Sequence, residues 1–175
     1  MDVWRYSDMV SKNDYAHTAS PSSISLGQHR QRGTTVVKAA YTGQIKVRFA
    51  DTDANGHTYF GSYLVLADEV VSEYLEQVGW DAGPDGDFLT FTANANIDFV
   101  GECLAWDILD VSCSFTRLGN SSCTLEFEML NTTTNEIATR GSFVYVFVDK
   151  ETRKSRPIPQ QVRDSIIAAQ PELAG

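Results

Sequence analysis

The sequence predicts an α+β domain in which one long helix packs against a five-stranded, mostly antiparallel sheet. Two observations carry this reading. Apolar residues recur with a period near 3.6 from Phe60 to Val78, and with a period of two in the stretches on either side. A third is the shortness of the links between the later strands, which suits hairpins rather than crossovers.

The first strand is Gln44 to Phe49, with Ile45, Val47 and Phe49 on one face and Lys46 and Arg48 on the other. The helix follows a polar loop. Phe60, Leu64, Val71, Leu75 and Val78 form its apolar stripe, flanked by Tyr63, Ala67, Val70 and Tyr74, with Glu69, Glu73 and Glu76 opposite. Gly79 is a natural helix stop. After the turn-rich DAGPDGD, four strands are expected. In the first, Leu89, Phe91, Ala93, Ala95, Ile97 and Phe99 share a face. Leu109, Val111, Cys113 and Phe115 mark the second, and Cys123, Leu125, Phe127 and Met129 the third. The last, Ile137 to Val148, is apolar on both faces, as a strand inside a sheet should be. One helix covers only one face, so the other face or an edge is expected to meet a second subunit, in a homodimer or homotetramer.

Residues 1–40 are polar, Ser-rich and aperiodic, and read as a loosely ordered extension; residues 41–175 read as the folded domain. The net charge of −9 opposes binding to nucleic acid or to an anionic membrane. It is also uneven. From Phe49 to Thr116 there are thirteen Asp and Glu and no Lys or Arg. The three cysteines, Cys103, Cys113 and Cys123, lack the short spacings of a metal site and read as buried thiols. No apolar run is long enough to span a bilayer, and the first residues lack the charged-then-apolar pattern of a secretory signal, so none is expected. The expected location is the cytoplasm, or an organelle matrix if the extension is a transit peptide.

The chemistry concentrates in one loop, Asp51-Thr52-Asp53-Ala54-Asn55-Gly56-His57, directly before the helix. A helix N-terminus offers unbonded N–H groups and a partial positive charge, which stabilise a carbonyl or a developing oxyanion. A carboxylate on the preceding loop can attack that carbonyl or activate a water. Asp53 is placed for this, Asn55 can orient a water or substrate, and His57 can titrate. A structural reading competes: Asp51 or Asp53 could cap the helix or close an Asx-turn. Asp68, at the margin of the stripe, is a second candidate carboxylate, whereas Glu69 points away from it.

The order of strand, D-x-D-x-N-G-H loop, long helix and four strands resembles the hotdog-fold thioesterases. Within them it is most similar to the 4-hydroxybenzoyl-CoA thioesterase/acyl-CoA thioester hydrolase branch. The resemblance runs from about Gln44 to Ile166. It implies that Asp53 is the catalytic carboxylate and that the backbone amide near Phe60 polarises a thioester carbonyl. Asn55 and His57 match an Asp/Asn/His pattern of the acyl-acyl carrier protein thioesterases. The branch often has Asn-Asn or His-Ala where this chain has Phe60-Gly61. The implied function is hydrolysis of an acyl-CoA or acyl-carrier-protein thioester, with Asp53 as general base or nucleophile. Tyr63, Leu64 and Ala67 are expected to line the acyl tunnel, Tyr59, Gly61 and Asp68 are further expected substrate-binding residues, and Arg117, Lys154 and Arg156 are expected near the nucleotide of coenzyme A. No metal or other cofactor is implied. A hotdog hydratase and a non-catalytic acyl-binding protein are the alternatives.

Overall fold

The computed structural model describes residues 38–174 apart from Pro84 and Asp87, so the expected extension falls almost wholly outside the described residues. The sheet comprises β1 (Tyr41–Lys46), β2 (Leu89–Phe99), β3 (Ile108–Leu118), β4 (Ser122–Asn131) and β5 (Glu136–Val148). All neighbours are antiparallel, in the order β1-β3-β4-β5-β2. The long helix, α1 (Phe60–Gln77), lies against one face, giving the expected α+β arrangement.

The buried side of α1 consists of Tyr63, Leu66, Ala67, Val70, Val71, Tyr74 and Leu75. This differs from the stripe read in the sequence by a fraction of a turn. Phe60 is 64% exposed: it stands at the first helical position, where no described element covers it. Each fully buried side chain of this size contributes about 1.5–3 kcal/mol relative to exposure. The helix stops where Gly79 takes φ +71. Its N–H bonds the Glu76 carbonyl, and that of Trp80 bonds Leu75, the paired bonds of a Schellman end. The turn throws the Trp80 ring among Phe88, Phe115, Tyr145 and Phe147, with the Phe147 centroid 4.7 Å away.

The inward residues of β3 and β4 pair as their alternation predicts: Val111 opposite Met129, Cys113 opposite Phe127, Phe115 opposite Leu125. All are buried. Two strands depart from expectation. β1 begins and ends earlier than its sequence pattern, and Phe49 sits in a single 3-10 turn (Phe49–Asp51), 74% exposed. In β2 a bulge at Ala93 splits the expected face. Ala95, Ile97 and Phe99 stand opposite the inward residues of β5, whereas Leu89 and Phe91 stand opposite Val148 and Val146. β2 is an edge strand with most of its residues exposed. A second helix unmarked in the sequence reading, α2 (Gln160–Ala169), adds Val162 and Ile166 to the core. All three cysteines are buried and reduced.

Candidate active site

Beyond β1 the chain doubles back on itself before entering α1. Thr52 bridges Thr58, the Asp53 N–H bonds the His57 carbonyl (2.8 Å), and the Tyr59 N–H bonds the Asp51 carbonyl (2.8 Å). Asp53 thus stands opposite His57, three residues before the helix begins. Gly56, at φ +82, makes the tip, a conformation that a side chain would strain.

The two acidic residues of the loop have different surroundings. Asp51 is 5% exposed and closes a capping box on the 3-10 turn. Its Oδ1 accepts from Arg48 Nη2 (2.7 Å) and its Oδ2 from Arg48 Nε (2.9 Å) and N–H (2.8 Å). The Arg48 side chain holds the Asp51 carboxyl below the usual carboxylate range, against the opposing effect of burial. Asp53 is exposed, and the Asn55 N–H donates to its Oδ1 (2.8 Å), an Asx-turn that leaves Oδ2 without a partner among the described residues.

Neither residue caps α1. Its N-cap is Tyr59, with no side-chain cap bond. Among the described residues the N–H groups of Phe60 and Gly61 have no acceptor. Gly61 has a steric role here: a Cβ at this position would approach the Tyr59 ring to 2.8 Å. That ring packs on Phe60, centroids 4.3 Å apart, beside the free amides. Asn55 and His57 are both exposed on the loop, and His57 Nε2 lies 3.3 Å from Glu102 Oε2. Glu102 was not marked by the sequence; it follows β2 and reaches the loop only through the fold.

The remaining expected residues separate into two groups. Tyr63 and Ala67 are buried on the inner side of α1, Leu64 is half-buried, and the Tyr63 ring meets Phe99 of β2 edge-on at 5.6 Å. Burial first, and then contact with Cys103, raises the Tyr63 pKa. The Asp68 residue is exposed, yet its carboxyl is crowded enough that desolvation, followed by the charge of Glu69, raises its pKa. Arg117, Lys154 and Arg156 lie at the other end of the sheet. The loop leaves β1 at Lys46, opposite Ile108, while Arg117 is nine residues further along β3. At about 3.3 Å per residue that is roughly 30 Å. Lys154 and Arg156 follow the same far end of β5, where the Arg156 N–H bonds the Phe147 carbonyl. Within one subunit these cations do not meet the loop.

A cleft of about 130 Å³ flanks α1 on its β1 side, lined by Ile45, Lys46, Arg48, Val65, Leu66 and Glu69. Among the described residues no group of three or more His, Cys, Asp or Glu is arranged to hold a metal ion.

This chain is similar to the 1,4-dihydroxy-2-naphthoyl-CoA hydrolase of Synechococcus elongatus, at 25% identity over 72% of this chain and 94% of the relative. The crystal structure of a 1,4-dihydroxy-2-naphthoyl-CoA thioesterase from Synechocystis superposes with a TM-score of 0.67 at 25% identity, covering 72% of this chain and 94% of that one. A Thermus thermophilus thioesterase solved with coenzyme A and zinc has the same fold: TM-score 0.66, 23% identity, 76% of this chain and 96% of that one. With one inner helix and a five-stranded antiparallel sheet, the architecture is the hotdog fold of these neighbours. Residues 47–166, from the end of β1 into α2, match the thioesterase-like superfamily, and the chain belongs to that family.

Proposed function

We propose that the protein hydrolyses an acyl-CoA thioester, with water giving a carboxylic acid and free coenzyme A. The observation that carries this is the free pair of N–H groups at the start of α1, preceded by a loop that turns back on itself and holds an exposed carboxylate, Asp53. The thioester carbonyl would sit on the Phe60 and Gly61 amides, where the helix N-terminus stabilises the charge that develops on oxygen. Asp53 would act on the carbonyl carbon, as general base toward a water or as nucleophile. Asn55 and His57 would orient that water or the substrate. The family supports the reading, as do relatives named for hydrolysis of an aromatic acyl-CoA. No metal enters the scheme, so a chelator should leave turnover unchanged.

The functional unit would be a homodimer. Among the described residues β2 is an edge strand with no pairing partner on its outer side, and its Phe91 and Phe99 are exposed, an arrangement suited to pairing with a second copy. A two-fold antiparallel pairing of the β2 edges reverses the ends of the sheet. It would carry Lys154 and Arg156 of the partner subunit toward the loop, where the phosphates of coenzyme A need cations.

The test is thiol release from a panel of aromatic, short-chain and long-chain acyl-CoA and acyl-carrier-protein thioesters, with wild type and Asp53→Asn side by side. Asn is nearly isosteric but can be neither base nor carboxylate nucleophile. The variant should lose at least about 10²-fold in kcat while keeping its thermal midpoint. Near-normal turnover in Asp53→Asn would move the chemistry elsewhere, with Asp68 the next carboxylate to substitute. Hydration of an enoyl-CoA without thiol release would favour the hydratase.

A further inference from the structure

The bonds within the Asp53 loop fix its shape but not its position on the domain. Its position is set by contacts with neighbouring segments, among them the Arg48–Asp51 pair where the loop begins, the His57–Glu102 contact at its tip side, and Thr58 where it ends. Thr58 is 6% exposed and donates both its N–H (2.8 Å) and its Oγ1 hydroxyl (3.0 Å) to a single acceptor, the Cys103 carbonyl. Beside it, His57 bridges Leu104.

The Cys103 carbonyl is a fixed point only if the Cys103–Asp107 segment is itself rigid, and that segment is under strain. Trp106 has φ +78, a left-handed conformation rarely adopted by a bulky aromatic residue. Such strain persists where the surroundings over-determine it. Here the Trp106 N–H bonds the Val47 carbonyl (2.8 Å), and Asp107 Oδ2 accepts from the Leu104 N–H (2.9 Å) and from Asn131 Nδ2 (2.8 Å). Asn131, at the end of β4, is 1% exposed. Its Oδ1 accepts the Thr133 N–H (2.9 Å), and its Nδ2 lies 3.7 Å from Cys103 Sγ. Two buried polar side chains thus form one chain of bonds, from β4 through a strained segment to the residue five places after Asp53.

We infer that Thr58 and Asn131 are positioning residues of the hydrolysis: through the Cys103–Asp107 segment they set the height of Asp53 over the N-terminus of α1. The inference rests on the thioesterase reading above. Both side chains are buried, Thr58 at 6% and Asn131 at 1% exposure, so they would act through the segment rather than on substrate. Their effect is on the distance between a carboxylate and a carbonyl, a quantity to which rate is steeply sensitive.

The experiment compares Thr58→Val, Thr58→Ser and Asn131→Ala with wild type, and adds Ile166→Val in the distant α2 as a control for lost stability. Thr58→Val keeps the shape and removes the hydroxyl bond. It should lower kcat about ten-fold with KM changed less than two-fold, and Thr58→Ser should restore most of kcat. Asn131→Ala should show the same split; if it does not fold, the two Thr58 variants decide alone. Ile166→Val should lower the thermal midpoint and leave kcat unchanged. Thr58→Val at wild-type kcat, Thr58→Ser no faster than Thr58→Val, or an Ile166→Val loss of kcat equal to theirs overturns the positioning role while leaving the thioesterase reading intact. A wild-type protein that releases no thiol from any thioester of the panel overturns both.

Discussion

Replacing Gln170 by Ala would test how the sheet is closed where β1 runs out. Among the described residues β1 pairs with β3 only as far as Cys113, and beyond that point no described strand lies beside this edge of β3. Gln170 takes the missing place. Its Oε1 accepts the Phe115 N–H (2.8 Å) and the Tyr74 hydroxyl (3.0 Å), and its Nε2 donates to the Phe115 carbonyl (2.9 Å). The side-chain amide presents a donor and an acceptor side by side, as a residue of a sixth strand would. Gln170, Phe115 and Tyr74 are 3%, 2% and 3% exposed, so Gln170→Ala strands three buried polar groups. Each costs about 1–3 kcal/mol when left unbonded. Water entering the vacated space recovers part of that, which sets the expected loss at roughly 3–5 kcal/mol. For a chain of this size each kcal/mol moves the thermal midpoint by about 2–4 °C, a fall on the order of 10–15 °C. Urea denaturation and calorimetry would measure the loss. Gln170→Leu should do no better, because it restores volume without the bonds. Since Gln170 sits at the Phe115 end of β3, kcat at 25 °C should be unchanged. A loss below about 1 kcal/mol, or a stable Gln170→Leu, would show that packing rather than hydrogen bonding closes this edge.

Asp51 should give the protein part of its acid sensitivity. Its folded pKa is depressed by Arg48, so its contribution is present above the ordinary carboxylate value, near 4, and is lost as pH falls through the folded value. Asp51→Asn should therefore lower the thermal midpoint at pH 7 and flatten its decline below about pH 4; parallel curves for variant and wild type would remove Asp51 from that role. Light scattering should report a dimer or a dimer of dimers, and a fully active monomer would contradict the pairing of β2 edges. A chain shortened to begin at Lys38 keeps the Ala40 N–H bond to the Cys113 carbonyl and should retain its midpoint and most of its turnover; a large fall in both would show that residues 1–37 support the domain.

What the sequence made legible were the features that local periodicity encodes. α1 and the inward residues of β3 and β4 follow directly from spacing, because a buried face imposes its period on whatever residues fill it. The bulge in β2 left no such trace: Ala93 continues the apolar alternation across the point where the strand changes face. α2 is short, and its two core anchors, Val162 and Ile166, are too few to set a period. Within the candidate site, Asp53 and the start of α1 are neighbours in sequence, so local spacing alone links them. The division of labour between Asp51 and Asp53 is less visible, and its one local sign is Arg48 three residues before Asp51. Glu102, Cys103, Asp107 and Asn131 reach the loop only through strand pairing. The distance of Arg117, Lys154 and Arg156 from the loop likewise depends on strand direction, which residue types do not reveal.

The three cysteines matter for any chemistry that generates a thiol. Every cycle of thioester hydrolysis releases a free sulfhydryl next to the protein, and under oxidising conditions that product could form mixed disulfides with it. Only a thiolate attacks a disulfide, and only one within reach. Burial pushes the Cys113 and Cys123 thiols up to about 12, and raises Cys103 as well. With their thiol pKa values raised by burial, little thiolate is present near neutral pH. All three side chains are shut inside the core. The folded protein is therefore inert toward S-thiolation by its own product. It should also be silent toward a thiol-reactive dye, so that colour developing in a release assay counts product alone, and three further equivalents should react only when denaturant opens the core.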